Sequence, residues 1–325
     1  MTFAKDTIFN LDILSLIMSI DRIVSFFPSA TELLYELGVG NKIFGVTHEC
    51  LYPEDAKSKP RIINSVFDPS IMSSKEIDDK IVELTREGKE IYKLDEEKLK
   101  QAKPDLIISQ DTCEVCSAYS SHVSKALNVL DNKPEIYPLD PHDINGILDS
   151  IKGVSQKIGS IERGSEIIQS LKKRIGFIQS KNFQIKPRVL ALEWLDPFFT
   201  SGHWVPEMIE IAGGENQISS KGEQSRRMKF EEIEQCDPDL IILMPCGFDT
   251  KRTLSEYDKF LKKNPSWNSL RAVKDNKVYA VDANAYFSKP SIRTITGLEI
   301  LAKIFHPEKF DQLHVPENSF LSTTN

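Results

Sequence analysis

Four sequence patterns occur twice in this chain, in the same order. Arg22-Ile-Val-Ser-Phe is echoed by Arg188-Val-Leu-Ala-Leu, and Glu36-Leu-Gly-Val-Gly-Asn-Lys-Ile by Glu210-Ile-Ala-Gly-Gly-Glu-Asn-Gln-Ile. Glu97-Lys-Leu-Lys-Gln-Ala-Lys-Pro-Asp-Leu-Ile-Ile returns as Glu231-Glu-Ile-Glu-Gln-Cys-Asp-Pro-Asp-Leu-Ile-Ile, and Glu135-Ile-Tyr-Pro-Leu-Asp as Lys277-Val-Tyr-Ala-Val-Asp. One echo is chance. Four in order imply two lobes of similar topology, at roughly residues 20–140 and 187–310.

Within each repeat, short apolar runs alternate with helical patterns, which predicts α/β lobes built on parallel sheets. The expected strands are 22–26, 42–46, 105–109 and 135–139, then 188–192, 239–244 and 277–281. Pro104 and Pro238 stand just before strands, where a missing N–H costs little, and Gly38, Gly40, Gly213 and Gly214 stop the first helix of each repeat. From 143 to 182 apolar residues recur at helical spacing, which predicts a helical link. Unbroken, its roughly 40 residues would make a rod of about 60 Å, and its glycines allow a break. The division is therefore an extension at 1–20, a first lobe at 21–142, a link at 143–186, a second lobe at 187–310 and a weakly ordered tail at 311–325.

The net charge of −7 argues against non-specific nucleic-acid binding, which wants a basic face. No apolar run approaches the roughly 18 residues of a membrane-spanning helix. Ile13 to Met18 is flanked by acids and followed by no cleavage site, so no secretory signal is expected and the chain is expected to be cytoplasmic. Five cysteines, an odd number, do not form a disulfide framework.

Ligands of α/β proteins bind outside the carboxyl ends of the strands, so the residues after each strand are the candidates. The segment Glu193 to Trp204 carries Trp194, Asp196, Phe198, Phe199 and His203, a density of aromatics that a mere connection does not need. The aromatics either line a cleft for a planar or macrocyclic ligand or fill the core; His203 is either an axial ligand to a bound metal complex or a hydrogen-bonded structural residue. Cys246, Phe248, Tyr286, Phe287 and Arg293 follow the other second-lobe strands. In the first lobe Ser29, Ala30 and Thr31 open a helix, either capping it or presenting its N–H groups to a ligand, and Gln110 and Asp111 follow another strand. His48, Cys50, Cys113 and Cys116 are a Cys₃His set of the type zinc prefers, which iron could also take; the alternative is buried, reduced cysteines. Glu97 and Glu231 hold equivalent places, as helix-start carboxylates or as a matched docking pair. No nucleotide loop, HExxH, nucleophile elbow or EF-hand occurs, so an enzyme of a common class is not supported.

The motifs Arg22-Ile-Val-Ser-Phe-Phe-Pro-Ser-Ala-Thr-Glu-Leu-Leu, Gly45-Val-Thr-His-Glu-Cys, Ser109-Gln-Asp-Thr-Cys-Glu-Val-Cys, Asp196 through Gly214, and Val278-Tyr-Ala-Val-Asp-Ala-Asn-Ala-Tyr-Phe carry a resemblance across about residues 21–310. The chain resembles substrate-binding proteins of the cobalamin and iron-siderophore ABC-transporter type, and within them a cobalamin-binding branch whose members often lack secretion signals. The resemblance implies two lobes on a backbone helix, the class III periplasmic-binding-protein architecture, and a cleft that holds a metal complex with little closure. It implies a cobalamin-like corrinoid or other metal chelate as ligand, no catalysis, a role in an ABC transport system or as an intracellular carrier, and Glu97 and Glu231 as the carboxylates that meet an ABC permease. The cysteine set departs from the secreted cobalamin binders, and a cytoplasmic copy would not meet a permease from outside. The competing expectations are a metal-binding or redox protein using the Cys₃His set, and an enzyme acting on a corrinoid or tetrapyrrole.

Overall fold

The computed structural model describes residues 20–110 and 120–324. Two sheets organise them. The first contains β1 (Ile23–Ser25), β2 (Ile43–Thr47), β3 (Arg61–Ser65), β4 (Tyr92–Leu94), β5 (Leu106–Gln110) and β6 (Glu135–Leu139), in the order β4-β3-β2-β1-β5-β6. The second contains β7 (Val189–Leu195), β8 (Phe198–Thr200), β9 (Leu240–Leu243), β10 (Val278–Val281) and β11 (Phe320–Ser322), in the order β11-β10-β9-β7-β8. All seven expected strands form. β5 and β9 are buried along their whole length, which is why both begin with the apolar run Leu-Ile-Ile; β5 ends on the buried polar pair Ser109 and Gln110.

The expectation of purely parallel sheets needs correction at the edges. The pairs β3–β4, β7–β8 and β10–β11 are antiparallel. β4, β8 and β11 have three residues each, too short for a period to show. The tail is not weakly ordered at its end: Phe320 packs edge-on against Tyr279 of β10, and β11 closes that edge of the sheet.

The internal repeat survives at atomic detail. The N–H groups of Arg22 and Arg188 each donate to an aspartate, Asp105 Oδ2 at 2.9 Å and Asp239 Oδ2 at 2.9 Å. Each aspartate's own N–H returns to the same arginine's carbonyl at 2.8 Å. The helices Glu96–Ala102 and Phe230–Cys236 both end on a left-handed residue, Lys103 (φ 44°) and Asp237 (φ 39°), immediately before the two prolines. Gly38 (φ 81°) and Gly213 (φ 85°) end the first helix of each lobe in a conformation that suits glycine.

The link is two helices rather than one rod. Ile144–Lys157 stops before Gly159 (φ 73°), and Ile161–Gln179 follows; Gly164 lies so close to Ser155 that a Cβ there would fall 2.3 Å from its hydroxyl. A left-handed glycine and this close approach fold the two helices against each other. The second helix, 19 residues and about 28 Å, ties the lobes together. Near its start Arg163 donates to the Glu36 carbonyl of lobe one; further on Arg174 forks onto Glu299 of lobe two at 2.8 and 2.6 Å. One apolar cluster runs from Ile23 and Leu34 through Ile147, Ile151 and Leu171 to Met208 and Leu298, so the lobes share a core on the side of the link.

Candidate functional site

At the same point of the repeat the lobes diverge. After β1 the chain enters the helix Pro28–Glu36 at once, whereas after β7 it makes the β7–β8 hairpin before the helix Val205–Ile211. The aromatic segment expected to be a cleft loop is therefore largely a hairpin. It covers the half of the β7 edge on which lobe one places β2; the lobe-two counterpart of β2 is reduced to a single bridge, Arg188 to Glu215.

Several expected ligand contacts are core. Trp204 is 5% exposed and its indole N–H donates to the Phe287 carbonyl at 3.0 Å; Phe287 is buried beside it. Phe198 stacks on Trp267 at 5.9 Å. The Glu193 carboxylate accepts from the Gly202 N–H at 2.9 Å and closes the hairpin. In lobe one Ala30 and Thr31 are fully buried, and the Thr31 hydroxyl meets Ser25 Oγ at 2.9 Å. Neither Ser29 nor Thr31 caps the helix, whose N-cap is Phe27. Amphipathic packing explains these corrections: large rings at a hairpin base and small residues at a helix start bury more surface in the core than at its edge.

Of the Cys₃His set only His48 and Cys50 fall among the described residues. The Cys50 thiol is buried, 3.0 Å from Thr31 Oγ1 and 3.3 Å from Thr47 Oγ1, and burial raises its pKa, so it stays a thiol. Cys113, Cys116 and the ligand candidate Asp111 lie outside the described residues. Among the described residues no three His, Cys, Asp or Glu side chains are placed to hold a metal ion.

His48 behaves differently. Its N–H bonds the Ile63 carbonyl at 2.8 Å and extends the ladder beyond β2. Its ring lies 5.6 Å from Tyr92, and behind Tyr92 the ring of His122 reaches the Tyr92 carbonyl at 3.1 Å. His48 lines an open recess of about 400 Å³ with Asn64, Ser65, Val66, Phe67, Asp68 and Pro69, at the carboxyl ends of β2 and β3. Gln110 ends β5 in the same sheet and is buried. Asp68 is held as a carboxylate by Ser70, whose hydroxyl and N–H both donate to it and lower its pKa.

Lobe two approaches that rim through Arg252, whose guanidinium donates to the Pro69 carbonyl at 2.7 Å and lies 3.6 Å from the Phe248 ring. Phe248 is buried, edge-on to Trp194 at 5.4 Å. Trp194 and Asp196 are half-buried; burial raises the Asp196 pKa, opposed by Lys75. Cys246 is also half-buried, and its N–H bonds the Glu193 carbonyl at 3.0 Å.

Two further contacts cross the lobes. Arg293 forks onto the buried Glu32 carboxylate, with Nε to Oε2 at 2.9 Å, under Tyr52 at 4.1 Å and Tyr286 at 5.9 Å. His203 lies 3.3 Å from His142, nitrogen to nitrogen, and stacks on Trp204; His142 in turn bonds Asp140 at 2.8 Å. Sequence reasoning missed Glu32, Ser74, Tyr92, His122, His142, Arg252 and Glu256. Apart from Tyr92, which opens the short edge strand β4, they sit inside helices or between elements, where spacing carries no sign of a partner across the chain. Glu97 and Glu231 are exposed in the first turns of their matched helices.

Comparison with known proteins bears on this architecture. An uncharacterized ABC transporter substrate-binding lipoprotein of Bacillus subtilis, YvrC, is 24% identical over 298 residues, covering 90% of this chain and 82% of its own. The high-affinity heme uptake system protein IsdE of Staphylococcus aureus is 23% identical, covering 66% and 72%. Among solved structures, the periplasmic vitamin B12 binding protein BtuF of Vibrio cholerae superposes with a TM-score of 0.65 at 20% identity, covering 91% of this chain and 99% of that one. IsdE complexed with heme gives 0.64 at 21%, covering 88% and 98%. These likenesses establish the two-lobed class III fold. Residues 23–285, most of the chain, match the periplasmic binding protein family, and the chain belongs to it.

Proposed function

We propose that this protein binds a metal chelate of the corrinoid or tetrapyrrole class between its lobes, a cobalamin-like corrinoid first, as the substrate-binding component of an ABC transport system or as an intracellular carrier. The carrying observation is the recess beside His48, at strand ends that face the lobe boundary. Its volume falls within the range of small-ligand pockets, about 300–1,000 Å³. The likeness to a vitamin B12 binding protein and to a heme-bound IsdE supports the ligand class. Haem is the second reading, favoured by IsdE. In either case His48 offers an imidazole, a common metal ligand, and Phe67 in the same wall offers a flat face.

The role is binding without turnover: in the cytoplasm, as the location reading has it, the protein would be an intracellular carrier, whereas outside a membrane Glu97 and Glu231 would be the carboxylates that meet a permease. Absorbance titration with cyanocobalamin and with hemin tests the ligand. Saturable one-to-one binding of either, with a spectrum that then stays constant for hours, is expected. No saturation at micromolar protein sinks the ligand reading, and steady conversion of the bound spectrum favours an enzyme. Cell fractionation tests the location: recovery with the membrane fraction contradicts it.

A further inference from the structure

The segment Pro69–Asp78 lies between β3 and β4 of lobe one, yet four of its residues, Pro69, Met72, Ser74 and Asp78, hydrogen-bond lobe two. Ser74 is completely buried, and all three of its polar groups cross the boundary. Its N–H and its hydroxyl donate to Glu256 Oε2 at 3.0 and 2.8 Å, and its carbonyl accepts from the Trp194 indole at 3.1 Å. Arg252 donates to the carbonyls of Pro69 and Met72 at 2.7 and 2.9 Å. Arg227 donates to both oxygens of Asp78, each at 2.8 Å.

Ser74 begins the 13-residue helix Ser74–Arg86, so Glu256 meets the positive end of that helix. The helix does not need Glu256 as its cap, because Ser73 and Glu76 already form a capping box. The contact therefore serves the lobe boundary.

The two sides on which the lobes are joined differ in kind. On the side of the link they share an apolar core, which opens only by exposing that surface to water. On the side of Ser74 the connections are hydrogen bonds, each replaceable by one to water at small net cost. Arg252 is half-buried, bonds two neutral carbonyls of the segment and lies over the Phe248 ring. The first residue of the segment, Pro69, is also part of the wall of the His48 recess.

We propose that Pro69–Asp78 is a releasable latch: docked on Glu256, Arg252 and Trp194 it holds the lobes together, and its undocking admits ligand to the face between them. The entry step rests on the ligand reading above; the latch itself does not. Hydrogen exchange by mass spectrometry on the full chain separates the two. In Glu256→Gln/Arg252→Met, amides of 70–79 are expected to exchange at least tenfold faster than in the wild type, while those of β1 and β5 keep their rates. Unchanged exchange in 70–79 overturns the latch. Should the double variant lose its fold, Ser74→Ala removes one donor alone, and about threefold faster exchange confined to the same amides is expected; no change there overturns it equally. Stopped-flow mixing with cyanocobalamin and hemin reads the entry step: about tenfold faster association in the variant supports it, and equal rates overturn it. Failure of both probes to bind the wild type refutes the ligand reading and leaves the exchange result to decide the latch.

Discussion

The two lobes repeat one topology and use its strand ends differently. Lobe one passes from β1 directly into a helix and leaves an open recess beside His48 at the ends of β2 and β3. Lobe two inserts the β7–β8 hairpin, and its aromatics turn inward onto Trp267 or against the other lobe. Shared scaffold thus does not mean shared task. The lobe with the conspicuous aromatic motif supplies the wall and the latch, and the lobe with the plainer sequence supplies the open ground.

The largest test of that contrast removes a lobe-two ring. Trp267 is fully buried between Phe198 and Tyr257, so Trp267→Ala is expected to cost about 3–5 kcal/mol in urea unfolding. Trp194→Ala, at the boundary, is expected to cost about 1–2 kcal/mol. Equal losses would erase the distinction between core and boundary aromatics.

The next test is the pair that crosses the lobes. Glu32→Ala strands Arg293 in a largely buried place and is expected to cost about 3 kcal/mol. Adding Arg293→Met is expected to recover part of that loss. A double variant as unstable as the sum of the single losses would mean the two residues act independently.

A third test uses pH. Burial, and then the neighbouring His142, hold His203 below the ordinary histidine pKa of about 6.5. Below that pH the unfolded chain takes up a proton the folded chain resists, so this contribution is complete above about pH 6.5 and declines as the pH falls toward the lowered pKa. His203→Asn keeps a residue that tolerates φ 54° and is expected to flatten the loss of stability between about pH 7 and 5. An unchanged pH profile contradicts it. The smallest effect is expected at Glu97→Ala and Glu231→Ala, each within about 0.5 kcal/mol of wild type in thermal unfolding because both are exposed. A large loss at either would make it structural rather than a docking carboxylate.

The sequence made the frame legible because the frame is periodic. Buried strands such as β5 and β9 share the apolar run Leu-Ile-Ile, and the repeat pairs Pro104 with Pro238 and Asp105 with Asp239. The site was legible only in part. His48 was singled out for the company of cysteines, yet its neighbours are Tyr92 and the 64–69 segment, contributed by elements whose spacing to His48 follows no motif. For Trp204 and Phe198 the sequence leaves cleft and core open, because a row of aromatics looks alike whether a hairpin buries it or a cleft displays it. Ser74, Arg252 and Glu256 gave no signal, since a contact between residues about 180 positions apart leaves no local pattern.

The most direct measurement is a calorimetric titration of cyanocobalamin and hemin into wild type, His48→Ala and Trp204→Phe. The expected result is one-to-one binding at micromolar or tighter affinity in the wild type, weakened about tenfold or more by His48→Ala and little changed by Trp204→Phe. Binding that depends on Trp204 and ignores His48, or no binding of either probe, would contradict a ligand site at the His48 recess of lobe one.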